Sequence, residues 1–182
     1  MKKAISSLLL ILVVFPMNAF AADLPDGLEI GAAAPTFFLM DLDRQSFFLS
    51  RALKEGKPIL LSFYATWCVP CRKEIPAYEA MLQDDAFADV RILYIHVGEP
   101  TAKPGSGDGD ADMSLIDKMK SDLGMTHLIL YDRYHVAFKK YGGKGLPTTA
   151  VIAPDGTLAY YHSGYEPGDE EKVRRILLDL MP

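Results

Sequence analysis

Pro58-Ile59-Leu60-Leu61-Ser62-Phe63-Tyr64-Ala65-Thr66-Trp67-Cys68-Val69-Pro70-Cys71-Arg72-Lys73-Glu74 is the stretch whose reading decides the fold. Residues 58–64 are a short apolar run opened by a proline, the pattern of a buried strand. From Cys71 onward the apolar positions Cys71, Ile75, Tyr78 and Leu82 follow helical spacing and mark one face of a helix over 69–84. The chain's 2 cysteines therefore stand where a strand hands over to a helix. Cys68 is expected at the helix N-terminus, exposed, with unpaired N–H groups and the macrodipole favouring its thiolate. Cys71 falls one turn in, on the core face. One accessible acidic sulfur and one shielded sulfur suit attack on a disulfide followed by internal resolution. Trp67 supplies an apolar shoulder beside the attacking sulfur.

Working outward, Met1-Lys2-Lys3 gives a basic start, residues 5–15 are largely apolar, and Ala19-Phe20-Ala21 offers a small-x-small cleavage site. That order resembles a secretory signal peptide, predicted over 1–21 and cleaved rather than kept as an anchor. Residues 22–182 then form one domain, large enough for a real core. The formal charge of −5 becomes more negative once Lys2 and Lys3 are removed. An acidic balance argues against nucleic acid and anionic membrane surfaces as partners. Export places the cysteine pair in an oxidising compartment, where two cysteines build no stapling framework and their value is chemical.

Residues 22–35 read as a loose lead-in. Runs at 36–40 and 46–49 flank a polar turn and predict a β-hairpin, with Ser50 expected to cap a short helix ending at Gly56. Strand 91–97 follows the long helix. The Gly/Asp-rich segment 99–112 reads as a solvated loop. Its Asp108, Asp110 and Asp112 alternate like calcium-loop ligands, but Met113 and Met119 stand where the loop needs Gly and Glu. A helix over 114–123 with Ser114 and Asp117 as capping box, strand 128–131, helix 134–141, strand 148–153, strand 158–164 and helix 169–180 complete the order. Strands alternating with helices predict an α/β fold: a central mixed sheet covered on both faces, with an N-terminal β-hairpin.

The Trp-Cys-x-x-Cys junction carries the thioredoxin signature, and the longer string from Tyr64 to Pro76 resembles the exported TlpA/ResA-like branch of thiol–disulfide oxidoreductases. Gly31-Ala32-Ala33-Ala34-Pro35-Thr36-Phe37-Phe38-Leu39 is similar to that branch's N-terminal hairpin, and Gly145-Leu146-Pro147-Thr148-Thr149 to its cis-proline loop. The resemblance implies a thioredoxin-like fold and a redox disulfide between Cys68 and Cys71. It implies a cis bond before Pro147, with Leu146 presenting backbone groups to an extended substrate. It also implies substrates among disulfide-containing exported proteins, some in cytochrome c or copper-centre maturation. A membrane thiol reductant as donor, a monomeric state, no cofactor and no metal complete the expectation. Glu74 matches an acid of this branch and lies about 60° around the helix from Cys71, where a carboxylate can accept the Cys71 proton. The plainer alternative is a first-turn acid serving the helix dipole. Ser62 stands where cytoplasmic thioredoxins carry a buried Asp, which leaves Glu74 as the available acid.

Three other readings fit less well. A zinc half-site needs two more ligands, and His96, His127, His135 and His162 show no paired spacing, reading instead as surface or satisfied histidines. A peroxidase of the peroxiredoxin type requires Thr-x-x-Cys, whereas Thr66 stands two residues before Cys68. A copper(I)-handling chaperone would use the two thiolates as soft ligands, but its relatives space the cysteines one residue wider and add a distal histidine. Direction of electron flow rests on Val69-Pro70. It lacks the histidine of the strong oxidants, and its proline supplies no N–H to the sulfur. A reductant is expected, with a dithiol oxidant as the alternative.

Overall fold

The computed structural model describes residues 28–98 and 109–181, with the backbone alone for 109–112. The predicted signal peptide 1–21, the first part of the lead-in, most of the 99–112 loop and the calcium-like pattern begun by Asp108 lie outside the described residues. Seven strands form one sheet. They are β1 (Phe38–Asp41), β2 (Ser46–Phe48), β3 (Ile59–Tyr64), β4 (Arg91–His96), β5 (Leu128–Tyr131), β6 (Thr148–Ile152) and β7 (Leu158–Ser163), in the spatial order β2-β1-β5-β4-β3-β6-β7. β3, β4 and β5 are parallel, and the remaining pairings are antiparallel. The helices are α1 (Leu49–Ala52), α2 (Cys71–Met81), α3 (Gly109–Leu123), α4 (Val136–Lys140) and α5 (Asp169–Asp179). This is the mixed sheet, helix-covered and led by a hairpin, that the sequence predicts.

β3 is central and buried at every position, which explains its unbroken apolar run. Its two faces see different neighbours because successive side chains point to opposite sides of the sheet. Ser62 meets α2 through Glu74, at 3.0 Å. Phe63, the next residue, packs against Phe138 of α4 and against Tyr141, with ring centroids 5.7 and 5.4 Å apart. On the Ser62 side α2 packs against α3 and α5. On the Phe63 side Phe37, just before β1, reaches Tyr141, whose hydroxyl donates to the Pro35 carbonyl at 2.9 Å.

Several local expectations are corrected. Ser50 lies inside α1 and caps nothing; Phe48 is the residue before the helix, without a side-chain cap. The short helix passes straight into a 3₁₀ turn that ends at Gly56 in the left-handed region, as a C-terminal glycine should. α2 is shorter than 69–84. It begins at Cys71 after Pro70 and closes at Leu82 as the backbone tightens. α3 starts at Gly109, so residues 109–112 belong to a helix and Ser114 is interior to it, not its cap. The lead-in is held in its second half: Gly31 N–H donates to the Leu158 carbonyl and Ala34 N–H to that of Gly156, while Leu28 is buried. Backbone pairing to the β6–β7 turn overrides the Ala/Gly/Pro composition there.

Candidate active site

The site forms where β3 ends. The antiparallel register pairs Phe63 with Thr148. Pro147 therefore stands at the same edge of the sheet at which the chain leaves Tyr64 for the cysteine loop. Cys68 and Cys71 are joined in a disulfide with their Cα atoms 5.3 Å apart. α2 has no side-chain N-cap; instead the Cys71 N–H points at the Cys68 sulfur, at 3.3 Å. An orphan donor of the helix end is thus aimed at the sulfur that would carry charge after reduction. Cys71 is fully buried. Cys68 is only 3% exposed, less open than expected. In the oxidised state its sulfur is bonded to Cys71 and lies within the core cluster. Trp67 beside it is 53% exposed and forms the open shoulder. Arg72 donates to the Thr66 carbonyl at 3.1 Å and fixes the loop from the helix side.

The Leu146–Pro147 bond is cis. Thr148 Oγ1 donates to the Gly145 carbonyl at 2.7 Å, and Gly164 N–H to the Pro147 carbonyl at 2.8 Å, which holds the loop in place. Trp67 and Leu146 line one groove, so two of the three expected substrate-contact residues meet at one surface. Pro147 itself is buried behind it.

Glu74 is not a solvent-facing acid of the first turn. It is 1% exposed and held by three hydroxyls. Ser62 Oγ donates to Oε2 at 3.0 Å, and Thr149 Oγ1 and the Tyr78 hydroxyl donate to Oε1 at 2.8 and 3.2 Å. Burial raises its pKa to about 7 against the pull of these hydrogen bonds from Thr149, Ser62 and Tyr78, and the negative charge of Asp169 adds to the rise. All three donors are neutral, and among the described residues no cation offsets the desolvation. A carboxyl so placed is poised between its acid and base forms at neutral pH. The sequence reading missed this network: Tyr78 reads as an apolar helix position, and Thr149 as part of the proline loop. Ser62, which in the sequence reads only as a missing acid, is a donor to the acid that replaces it.

The histidines are scattered. His96 is buried and its Nδ1 accepts the Gly98 N–H at 3.1 Å. His127 meets Glu79, and His162 meets Asp169 at 3.3 Å. His135 is exposed, as expected of a surface histidine, and it lines the groove beside Trp67.

Taken together, the fold and the dithiol define a thioredoxin-like thiol–disulfide oxidoreductase. The AhpC/TSA family pattern matches residues 30–161, and the chain belongs to that family. The thiol-disulfide oxidoreductase ResA of Geobacillus thermodenitrificans is 30% identical over 153 residues, covering 84% of this chain and 79% of the relative. That of Bacillus subtilis is 28% identical over 139 residues, 76% and 70% of the two chains. Among solved structures, a putative thiol:disulfide interchange protein DsbE from Chlorobium tepidum superposes with a TM-score of 0.68 at 25% identity, over 85% of this chain and 99% of that one. A putative protein disulfide isomerase from Bacteroides thetaiotaomicron gives 0.70 at 24% identity, over 86% and 92%, a likeness of fold.

Proposed function

We propose that the protein is an exported reductant of disulfides in other exported proteins. The observation that carries the reading is the Cys68–Cys71 pair at the start of α2, with the Cys71 N–H on the Cys68 sulfur. In the reduced protein the Cys68 thiolate attacks one sulfur of a substrate disulfide. That bond breaks, a Cys68–substrate disulfide forms, and the other substrate sulfur leaves as thiolate and takes up a proton. Cys71 then gives its proton to Glu74 and attacks the Cys68 sulfur. The second substrate thiol is released, and two electrons have passed to the substrate. Trp67, Leu146 and Pro147 hold the substrate chain beside the dithiol.

Export is supported by the pattern of residues 1–21, read as a cleaved signal peptide. The reducing direction is supported by Val69-Pro70, which offers the Cys68 thiolate neither a histidine nor an N–H from residue 70. Re-reduction requires a dithiol donor on the same side of the membrane, for which a membrane thiol reductant is the fitting class. Relatives named thiol-disulfide oxidoreductase ResA support the chemistry. Service in cytochrome c or copper-centre maturation, and a monomeric state, belong to the same proposal.

Two measurements test it. Cys71→Ser should accumulate mixed disulfides through Cys68, and adducts forming instead on Cys68→Ser would reverse the roles. The equilibrium potential against dithiothreitol or glutathione should lie near the thioredoxin end, roughly −270 mV, not near the roughly −120 mV of the strong oxidants. Efficient oxidation of a reduced unfolded protein would overturn the direction.

A further inference from the structure

The groove beside the dithiol carries a chemical bias. It encloses about 240 Å³, with Trp67, Val97, Phe138 and Leu146 as its apolar lining. Two ionisable residues line it among the described residues, His135 and Lys144, and neither is acidic. On a chain with a formal charge of −5, this rim runs against the overall sign.

Both residues are set there by local structure. His135 adopts the left-handed region (φ 56°, ψ 32°) just before α4. Its N–H donates to the Asp132 carbonyl at 3.0 Å, and its ring stands edge-on to Phe138 at 6.0 Å. The buried Asp132 carboxylate accepts the N–H groups of Val136 and Phe138 at 2.7 and 2.8 Å, so capping of α4 holds the turn that presents the imidazole. Lys144 is exposed and makes no ion pair or hydrogen bond among the described residues. The loop carrying it is pinned from below: a Cβ at Gly143 would come within 3.2 Å of the Phe138 carbonyl, and Gly143 has φ +35°. The ammonium is thus free to meet a partner from outside, at the edge of a cavity sized for one large apolar side chain.

We propose that this groove selects substrate cysteines flanked by a large apolar residue and then an acidic one, the apolar side chain filling the cavity and the carboxylate meeting Lys144 and His135. The inference rests on the reading of the site as a reductant of polypeptide disulfides, and it names the substrate class. Charge complementarity at a rim sets partner choice more than raw affinity, while the apolar cavity supplies the larger discrimination.

The test uses the reduced full chain and four disulfide-linked peptides that differ only beside the cysteine: Leu-Glu, Leu-Lys, Ser-Glu and Ser-Lys. Second-order exchange rates should favour Leu over Ser by roughly tenfold. They should favour Glu over Lys by about threefold at low salt, with the charge preference shrinking at high salt. Within K144E the Glu/Lys ratio should fall below one while the Leu/Ser ratio persists. H135N, which tolerates the left-handed backbone, should lower the Glu/Lys ratio without inverting it. Ratios taken within each variant cancel any change in overall rate. A Glu/Lys ratio indifferent to K144E overturns the inference. Failure of the wild-type protein to reduce even hydroxyethyl disulfide, a small neutral substrate, overturns the reading beneath it.

Discussion

Two buried glutamates on α2, one turn and a half apart, have opposite fates. Glu74 sits among the hydroxyls of Ser62, Tyr78 and Thr149, and burial holds its pKa up at about 7. Glu79 is also buried, which alone would raise it. However, the hydrogen bond from His127, the two from Thr126 and the charge of His127 outweigh that and hold it below the usual carboxylate range. Neutral hydroxyls can turn to donate or accept, so they satisfy a carboxyl in either protonation state. The Thr126 backbone N–H cannot turn and only donates, so it commits Glu79 to the anion. One helix therefore carries an acid balanced between its two protonation states near its start and a structural clamp near its end, where Glu79 ties α2 to the turn before β5.

Kinetics should separate the two acids by the largest margin. Glu74→Gln should slow resolution of the Cys68 mixed disulfide by roughly 10²-fold or more, the usual scale for loss of a general base. Glu79→Gln should leave that step unchanged. Stopped-flow single turnovers with a mixed-disulfide adduct read both. If both variants slow resolution alike, α2 acts only through its packing.

Stability gives the next effect, with opposite signs for the two acids. Glu74 has a folded pKa above its unfolded one. Its cost to the fold is absent below about pH 4.5, grows as pH rises toward 7, and is complete above that, reaching about 3 kcal/mol for a shift of this size. Wild type should lose stability relative to Glu74→Gln across that window in urea titrations. Glu79 has a lowered folded pKa. Its contribution is present above the ordinary carboxylate range and is lost as pH falls through the folded value. Glu79→Gln should cost about 1–3 kcal/mol at neutral pH.

Smaller effects sharpen the cause. Thr149→Val removes the 2.8 Å donor to Glu74, so the pKa should rise further by about one unit, seen as a matching shift in the pH profile of resolution. Ser62→Ala removes the 3.0 Å donor and should shift it the same way by less.

Much of this was legible in the sequence, and the limits are physical. The strand-to-helix junction, the order of elements, the hairpin and the proline loop all show in local pattern, because apolar period and turn chemistry are local. Ser50 misled because it carries cap chemistry one residue inside a helix that begins without a side-chain cap. The start of α3 was hidden because Gly and Asp in 109–112 read as loop, and tertiary context overrode their propensity. The surroundings of Glu74 were invisible for a different reason. Ser62 lies 12 residues away and Thr149 75 residues away, and only the β3–β6 register brings them to one carboxylate. His135 gave no signal either, since its place in the groove follows from the Asp132 turn.

Glu74 titrates near neutral pH, whereas Glu79 stays ionised there. Side-chain carboxyl carbon NMR on the oxidised protein measures both in one titration, with Glu74→Gln and Glu79→Gln to assign the signals. The expected result is a midpoint near pH 7 for Glu74 and one below the ordinary carboxylate range for Glu79. Two midpoints that coincide in the ordinary range near pH 4.5 would contradict it.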